Sequence, residues 1–200
     1  TNQCPMKRIL YTLLGFLLFN YSNIHAQTWA KSLGSTNIDQ VHRLTIDAGG
    51  NSYVAGFFSG TIPLGNSTVI SSGGLRDIFL ARYGSDGTLL WAKGIGGTGE
   101  DQARDIAIDL SGNIYIIGDF SGFVDFDPSI GVSIQNSQGS SEVFIAKFDA
   151  NGNFDWAEAI EGTGTDFGYN LEIGANNELY VSGTFTGSLN FTNSQTTDDL

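Results

Sequence analysis

A 34-residue stretch opened by Trp occurs three times in this 200-residue chain. A fixed internal period constrains a fold more than any local feature, because each copy must build the same supersecondary unit. The copies are WAKSLGSTNIDQVHRLTIDAGGNSYVAGFFSGTI from Trp29, WAKGIGGTGEDQARDIAIDLSGNIYIIGDFSGFV from Trp91 and WAEAIEGTGTDFGYNLEIGANNELYVSGTFTGSL from Trp156. They align without a gap, at offsets of 62 and 65 residues, and the first two are identical at 16 of the 34 positions.

Each period holds four strand-like runs. In the second these are DIAID (105–109), IYIIGDF (114–120), EVFIAKF (142–148) and FDWAEAI (154–160). The first period supplies RLTID, SYVAGFF, DIFLARY and TLLWAKGI. β-Branched and aromatic residues bounded by Gly, Asn and Asp clusters read as strands and hairpins. No segment after the first 26 residues sustains a 3.6-residue apolar period, so no substantial helix is expected there. Leu44, Ile106 and Leu171 align, as do Ile46, Ile108 and Ile173, which marks one buried face of the first strand. Tyr53, Tyr115 and Tyr180 recur with Phe58, Phe120 and Phe185, as aromatic filling between packed sheets. Gly56, Gly118 and Gly183 recur inside the second strand, where glycine marks a bulge or a close backbone approach.

Four antiparallel strands per repeat of about 62–65 residues predict an all-β fold of β-propeller blades. A β-solenoid or sandwich array is the alternative architecture. The repeats divide as 29–90, 91–155 and a shorter 156–200 within a propeller region 27–200. A ring needs about four blades or more, so the chain reads as an incomplete propeller fragment with unpaired edges. The leading WAKSLG resembles a fourth strand without its own third, suited to sealing the last blade of a ring.

Residues 1–26 read as upstream residues and a signal peptide. Met6 is followed by Lys7 and Arg8, an apolar run from Ile9 to Phe19, and a small residue, Ala26, after which cleavage is expected. The apolar run is too short for a membrane span. Removal leaves seven basic against 21 acidic residues, no Cys, and His42 as the one histidine. That excludes a disulfide framework, a Cys nucleophile and a Cys/His zinc site. The acidic balance argues against nucleic acid and anionic lipid as partners.

Several constellations invite chemistry. Gly94-Ile95-Gly96-Gly97-Thr98-Gly99 matches G-x-G-x-x-G, but two acids and a strand follow where a phosphate loop needs a helix. Asp39, Asp101 and Asp166 recur before the first strand, either as a carboxylate ring for a cation or as acceptors of backbone N–H groups in their turns. Asp149, Asn151 and Asn153 place oxygens at alternate positions of a Gly-containing loop and are candidate calcium ligands, although Ile160 stands where a bidentate Glu is expected. Asp125 and Asp127 are a weaker pair. A Ser-His-acid triad would need His42, which Arg104 and Tyr169 replace in the other copies, so that position reads as exposed and variable.

The runs GTGEDQARDIAIDLSGNIYIIGDFSG and DIFLARYGSDGTLLWAK resemble the SBBP-type β-propeller repeat of secreted and cell-surface bacterial proteins, and FSGFVDFDPSIG resembles its longer variant. The resemblance covers Trp29 to Leu200. It implies an exported, surface-associated repeat scaffold and attaches no catalytic set. The expected function is therefore a non-enzymatic scaffold or binding module for protein or glycan, secreted or at the cell surface, with no cofactor beyond a possible calcium. A polysaccharide-degrading enzyme built on a propeller and a calcium-stabilised adhesin are the alternatives.

Overall fold

The structure is a computed structural model that describes residues 29–30, 34–64, 67–70, 73–187 and 189–190. The signal segment, its cleavage site and residues 191–200 lie outside the described residues. Among the described residues all regular structure is β, and no helix is long and apolar enough to cross a membrane.

The first blade begins with β1 (Gln40–Ile46) and β2 (Ser52–Phe58). A hairpin of β3 (Thr61–Leu64) and β4 (Ser67–Ile70) interrupts it. It then continues with β5 (Asp77–Tyr83) and β6 (Leu89–Gly97). The second blade repeats this plan. It consists of β7 (Gln102–Ile108), β8 (Ile114–Phe120), the hairpin β9 (Phe123–Asp125) and β10 (Ile134–Asn136), β11 (Glu142–Phe148) and β12 (Phe154–Gly162). The third contributes β13 (Phe167–Ile173), β14 (Leu179–Thr184) and β15 (Leu189–Asn190). Within each blade neighbours in sequence pair antiparallel, in the order β1-β2-β5-β6 and β7-β8-β11-β12. These are four-stranded propeller blades, and among the described residues the sheets do not close into a ring.

The repeat frame and the sheet frame are out of phase. Trp91 lies inside β6 and Trp156 inside β12, so a copy counted from Trp starts on the outer strand of one blade and runs into the next. Its polar loop crosses between blades, where a parallel bridge joins Arg76 to Glu100 and another joins Ser141 to Thr165.

The inner strands start three residues earlier than the apolar alternation suggests, at Gln40 and Gln102. The reason is a β-bulge. The register slips between Val41 and Arg43, between Ala103 and Asp105, and between Gly168 and Asn170, leaving His42, Arg104 and Tyr169 as the extra residues. An extra residue breaks the period-2 pattern on which the sequence reading relies. The bulge also explains the recurring strand glycine. A Cβ on Gly56 would fall 1.9 Å from the Gln40 carbonyl oxygen, and one on Gly118 would fall 1.9 Å from that of Gln102. The bulged strand presses its backbone against the second strand, and only glycine leaves room.

Apolar side chains fill the spaces between blades. Ile78, Leu80 and Ile95 of blade one meet Ile106, Ile116 and Phe144 of blade two in one cluster. Ile117, Val143 and Ile160 of blade two meet Leu171 of blade three in another. The aromatics fill these spaces as expected: Tyr53 meets Trp91 edge-on at 6.4 Å, and Tyr115 meets Trp156 at 6.3 Å. Tyr180 and Phe185 of blade three are exposed instead.

The insertion hairpins do something the sequence does not announce. β9 pairs with β6 of the preceding blade, with Gly96 opposite Asp125 and Gly97 opposite Val124. β15 pairs likewise with β12, with Gly162 opposite Leu189. β9 and β15 thus each add to the outer strand of the blade before and tie the two blades together.

Candidate functional site

The two ends of the blades differ in chemistry. At one end lie the β1–β2, β7–β8 and β11–β12 turns, and aspartate organises all three. Asp47 accepts the N–H groups of Gly49 and Asn51, the Asn51 Nδ2 and the Tyr53 hydroxyl. Asp109 accepts those of Ser111 and Asn113 with the Asn113 Nδ2. Asp149 accepts those of Asn151 at 2.8 Å and Asn153 at 2.9 Å, and the Asn153 Nδ2 at 2.8 Å. Burial alone would raise the three carboxyl pKa values. The hydrogen bonds outweigh it and hold each below the usual range.

The residues singled out for calcium therefore form the same turn as two others in the chain. In it Asn153 meets Asp149 through amide nitrogen, as a donor, and Asn151 through its backbone N–H. Among the described residues no three His, Cys, Asp or Glu side chains converge to hold a metal ion. Asp125 accepts the N–H groups of Asp127 and Ser133, and Asp127 accepts that of Ser129, inside the β9–β10 loop.

The recurring Asp39, Asp101 and Asp166 are also bound up in backbone. Asp101 accepts the N–H of Gly97 from the end of β6 and that of Ser121 from the end of β8. Asp39 accepts the equivalent N–H groups of Ser35 and Ser59, and Asp166 that of Thr186. Each carboxylate fastens a second strand to the link that enters the blade. Burial, with a smaller push from the charges of Asp77 and Asp119, raises the Asp101 pKa to about 7 against its two N–H donors.

The other end carries the insertions and the three bulges. His42 is half-buried: its Nδ1 lies 2.8 Å from the Ala103 carbonyl oxygen and its ring meets Phe57 edge-on at 5.4 Å. The position expected to be merely exposed thus bridges blades one and two. Arg104 donates from Nε to Asp119, to which Gln102 also donates at 2.9 Å. The Arg104 guanidinium lies 5.2 Å from the Phe167 ring centroid and 5.3 Å from that of Tyr169. Tyr169 is 40% exposed and accepts from the Thr184 hydroxyl at 3.4 Å. Beside Phe57, Arg76 lies over its ring at 4.8 Å. The result is two clusters of aromatic faces and charged hydrogen-bonding groups at one rim, linked through His42 and the Ala103 carbonyl.

Just below the rim an open cavity of about 230 Å³ lies among β1, β7 and β13, bordered by Arg43, Asp105, Ile106, Leu171 and Glu172. Asp105, buried, joins all three blades: it pairs with Arg43 Nε at 3.0 Å and accepts the Leu171 N–H at 2.9 Å. Sequence reasoning missed this residue. Its one signal is the complementary series Arg43, Asp105, Asn170 at aligned positions.

Comparison with known proteins agrees with this architecture. An uncharacterized WD repeat-containing protein of Acanthamoeba polyphaga mimivirus is 31% identical over 118 residues, covering 52% of this chain and 8% of its own length. The regulatory protein FlaEY of Caulobacter vibrioides is 28% identical over 110 residues, covering 55% of this chain and 12% of its own. The chain therefore spans only a small part of the curated relatives it matches. The family model of the SBBP β-propeller repeat matches residues 90–119, which run from β6 through β8. With four-stranded blades in the structure and that match running from the outer strand of the first into the second, the chain carries the SBBP-type β-propeller repeat.

Proposed function

We propose that this chain is part of an exported, non-enzymatic β-propeller that acts outside the cell as a scaffold or binding module for a protein or glycan ligand. One observation carries the reading. The bulge places residues 42, 104 and 169 at the same backbone position in three blades, yet they are His, Arg and Tyr. A fixed framework that varies its side chains at one rim, beside insertions of different length, is how rigid scaffolds present binding residues. The Tyr169 and Phe167 rings next to the Arg104–Asp119 pair offer stacking and directional hydrogen bonds, which suit a sugar ring or a polar peptide. Export is supported by the basic start and short apolar run of residues 7–19.

The test uses the protein expressed from its complete reading frame. It is passed over panels of immobilised glycans and of surface proteins from its own host. The reading expects a ligand whose affinity drops at least about tenfold in the Arg104→Ala, Tyr169→Ala double variant. Turnover of a polysaccharide by the wild-type protein would replace it with the enzymatic alternative, and recovery of the intact precursor inside the cell would remove export.

A further inference from the structure

We propose that the outer edge of β10 is a strand-addition site. An extended peptide segment of a partner protein, with apolar side chains at alternate positions and Lys or Arg among the others, pairs there as one more strand of the sheet.

The edge is the first observation. Because β9 adds to β6, the sheet of blade one continues past its four strands into the hairpin, in the order β1-β2-β5-β6-β9-β10. β10 ends that sheet, and among the described residues it pairs with β9 alone. The ladder is longer than the three-residue strand. The Phe126 N–H donates to the Ser133 carbonyl and the Ser137 N–H to the Gly122 carbonyl, both at 3.0 Å. With Gln135 opposite Val124, these bonds fix the parity: residues 133, 135 and 137 turn their backbone groups towards β9. Ile134 and Asn136 turn theirs away, so two N–H and two C=O groups lie in line on the open flank. Such a row is a template for another strand.

The second observation is what the edge lacks. Sheet edges are commonly guarded by Pro or Lys. The hairpin β3–β4 has Pro63 in β3. From Val132 to Ser137 the chain reads Val-Ser-Ile-Gln-Asn-Ser, with neither.

The third observation is the face beside the edge. On the inner side Val124 is fully buried, and the Gln135 amide donates to the Ala157 carbonyl at 3.2 Å. On the outer side Phe123 is 62% exposed and Ile134, diagonally across the hairpin from it, 58%. Val132, two residues before Ile134, is exposed as well. An added strand lays its own apolar side chains along this stripe and withdraws both from water.

Charge selects the occupant. No Lys, Arg or His occurs between Arg104 and Lys147, and the hairpin and its loop carry Asp125 and Asp127. Their carboxylates accept backbone N–H groups, which leaves the negative charge in place. A second copy would bring the same acids to the edge, whereas a basic segment complements them. The proposal rests on the backbone of β10 and stands whether or not the side chains at 42, 104 and 169 bind a ligand.

The test selects a phage-displayed library of random short peptides on the protein expressed from its complete reading frame. The selected peptides are synthesised, and their affinities are read by fluorescence anisotropy. They are expected to alternate apolar residues, to carry Lys or Arg, and to bind less tightly as salt is raised. Asn136→Pro removes an outward N–H and none that pairs with β9, and it should weaken binding at least about tenfold with the melting temperature held. Asn136→Ala keeps that N–H and should bind within about twofold of the wild type. Methylating the peptide's backbone nitrogens one at a time gives a readout independent of how the variants fold. Every second nitrogen should be sensitive, as in a paired strand. Uniform tolerance of methylation overturns the proposal, and so does a selection in which no peptide is weakened by Asn136→Pro. Selected peptides without basic residues overturn the choice of partner. Binding lost in the Arg104→Ala, Tyr169→Ala double variant but kept in Asn136→Pro assigns the peptides to the rim and overturns the β10 site. A dimer, seen by light scattering, that Asn136→Pro dissolves overturns it in favour of a second copy.

Discussion

The two ends of the blades use the same backbone for opposite purposes. At the turn end the chain spends its repeated residues on itself. Asp47, Asp109 and Asp149 meet nearly the same donors, and the Asp-x-x-Gly-Asn turn recurs unchanged in form. At the bulge end the backbone geometry recurs, but the side chains at 42, 104 and 169 differ and engage different partners. The difference teaches where this repeat is free to vary. Hydrogen bonds that close a hairpin leave little latitude, whereas a bulge fixes a direction and lets the side chain be chosen. Blade three supports the point from the turn end. Gly174 replaces the leading Asp, and Glu178 takes over by accepting from the Asn176 N–H and Nδ2. The residue moved and the role stayed.

The largest test breaks the tie between the two ends. Asp105→Ala leaves the buried Leu171 N–H without its acceptor and Arg43 without its partner. Because Arg43 is largely exposed, most of the loss comes from the orphaned N–H, and a decrease of about 2–3 kcal/mol in urea unfolding is expected. A loss within about 0.5 kcal/mol would show that the blades are held by apolar packing alone.

Acidity separates the ends next. Asp101, with its pKa raised to about 7, binds a proton more readily folded than unfolded, so between about pH 4 and 7 stability falls as pH rises. The turn aspartates, with lowered pKa values, act in the opposite sense and lose their contribution as pH drops below about 4. Thermal unfolding of the wild type should therefore improve from pH 8 down to about 5 and collapse in stronger acid. Asp101→Asn should flatten the upper slope; an unaltered slope in that variant would assign the proton elsewhere.

Asp109→Ala should cost about 1–2 kcal/mol through the loss of three turn hydrogen bonds, and Asp149→Ala less, since its turn is more exposed. Equal losses would mean that exposure does not discount these bonds. Arg104→Ala at the other end should cost about 1 kcal/mol, because the buried Asp119 loses one charged donor but keeps the amide donor of Gln102. The smallest expected effect is that of a calcium chelator. With the Asp149 carboxylate already occupied by N–H donors, the melting temperature should not move, and a fall of several degrees would restore Asp149, Asn151 and Asn153 as a calcium loop.

Much of the fold was legible because the repeat exposes its own grammar. Gly and Asn at Gly112-Asn113 and Gly152-Asn153 marked the hairpins, and the recurring Tyr53 and Tyr115 marked the space between sheets, where each meets a Trp. The carboxylates Asp39, Asp101 and Asp166 were legible as backbone acceptors, since a short acid beside a turn has N–H groups within reach. The bulge was not. Gly56 and Gly118 signalled a crowded strand, but which residue of the partner was extra depends on pairing between chain segments some 15 residues apart.

The sequence by itself determined the four-stranded unit and its antiparallel hairpins, because these depend on contacts within one repeat and repeat with it. Only the tertiary structure decided that Asp105 joins three blades, that His42, Arg104 and Tyr169 share a rim, and that β9 and β15 belong to the blade before their own. Those contacts lie between repeats: Asp105 and His42 meet residues more than 60 positions away, β9 and β15 pair with strands of the preceding blade, and no local pattern records which neighbour each will find.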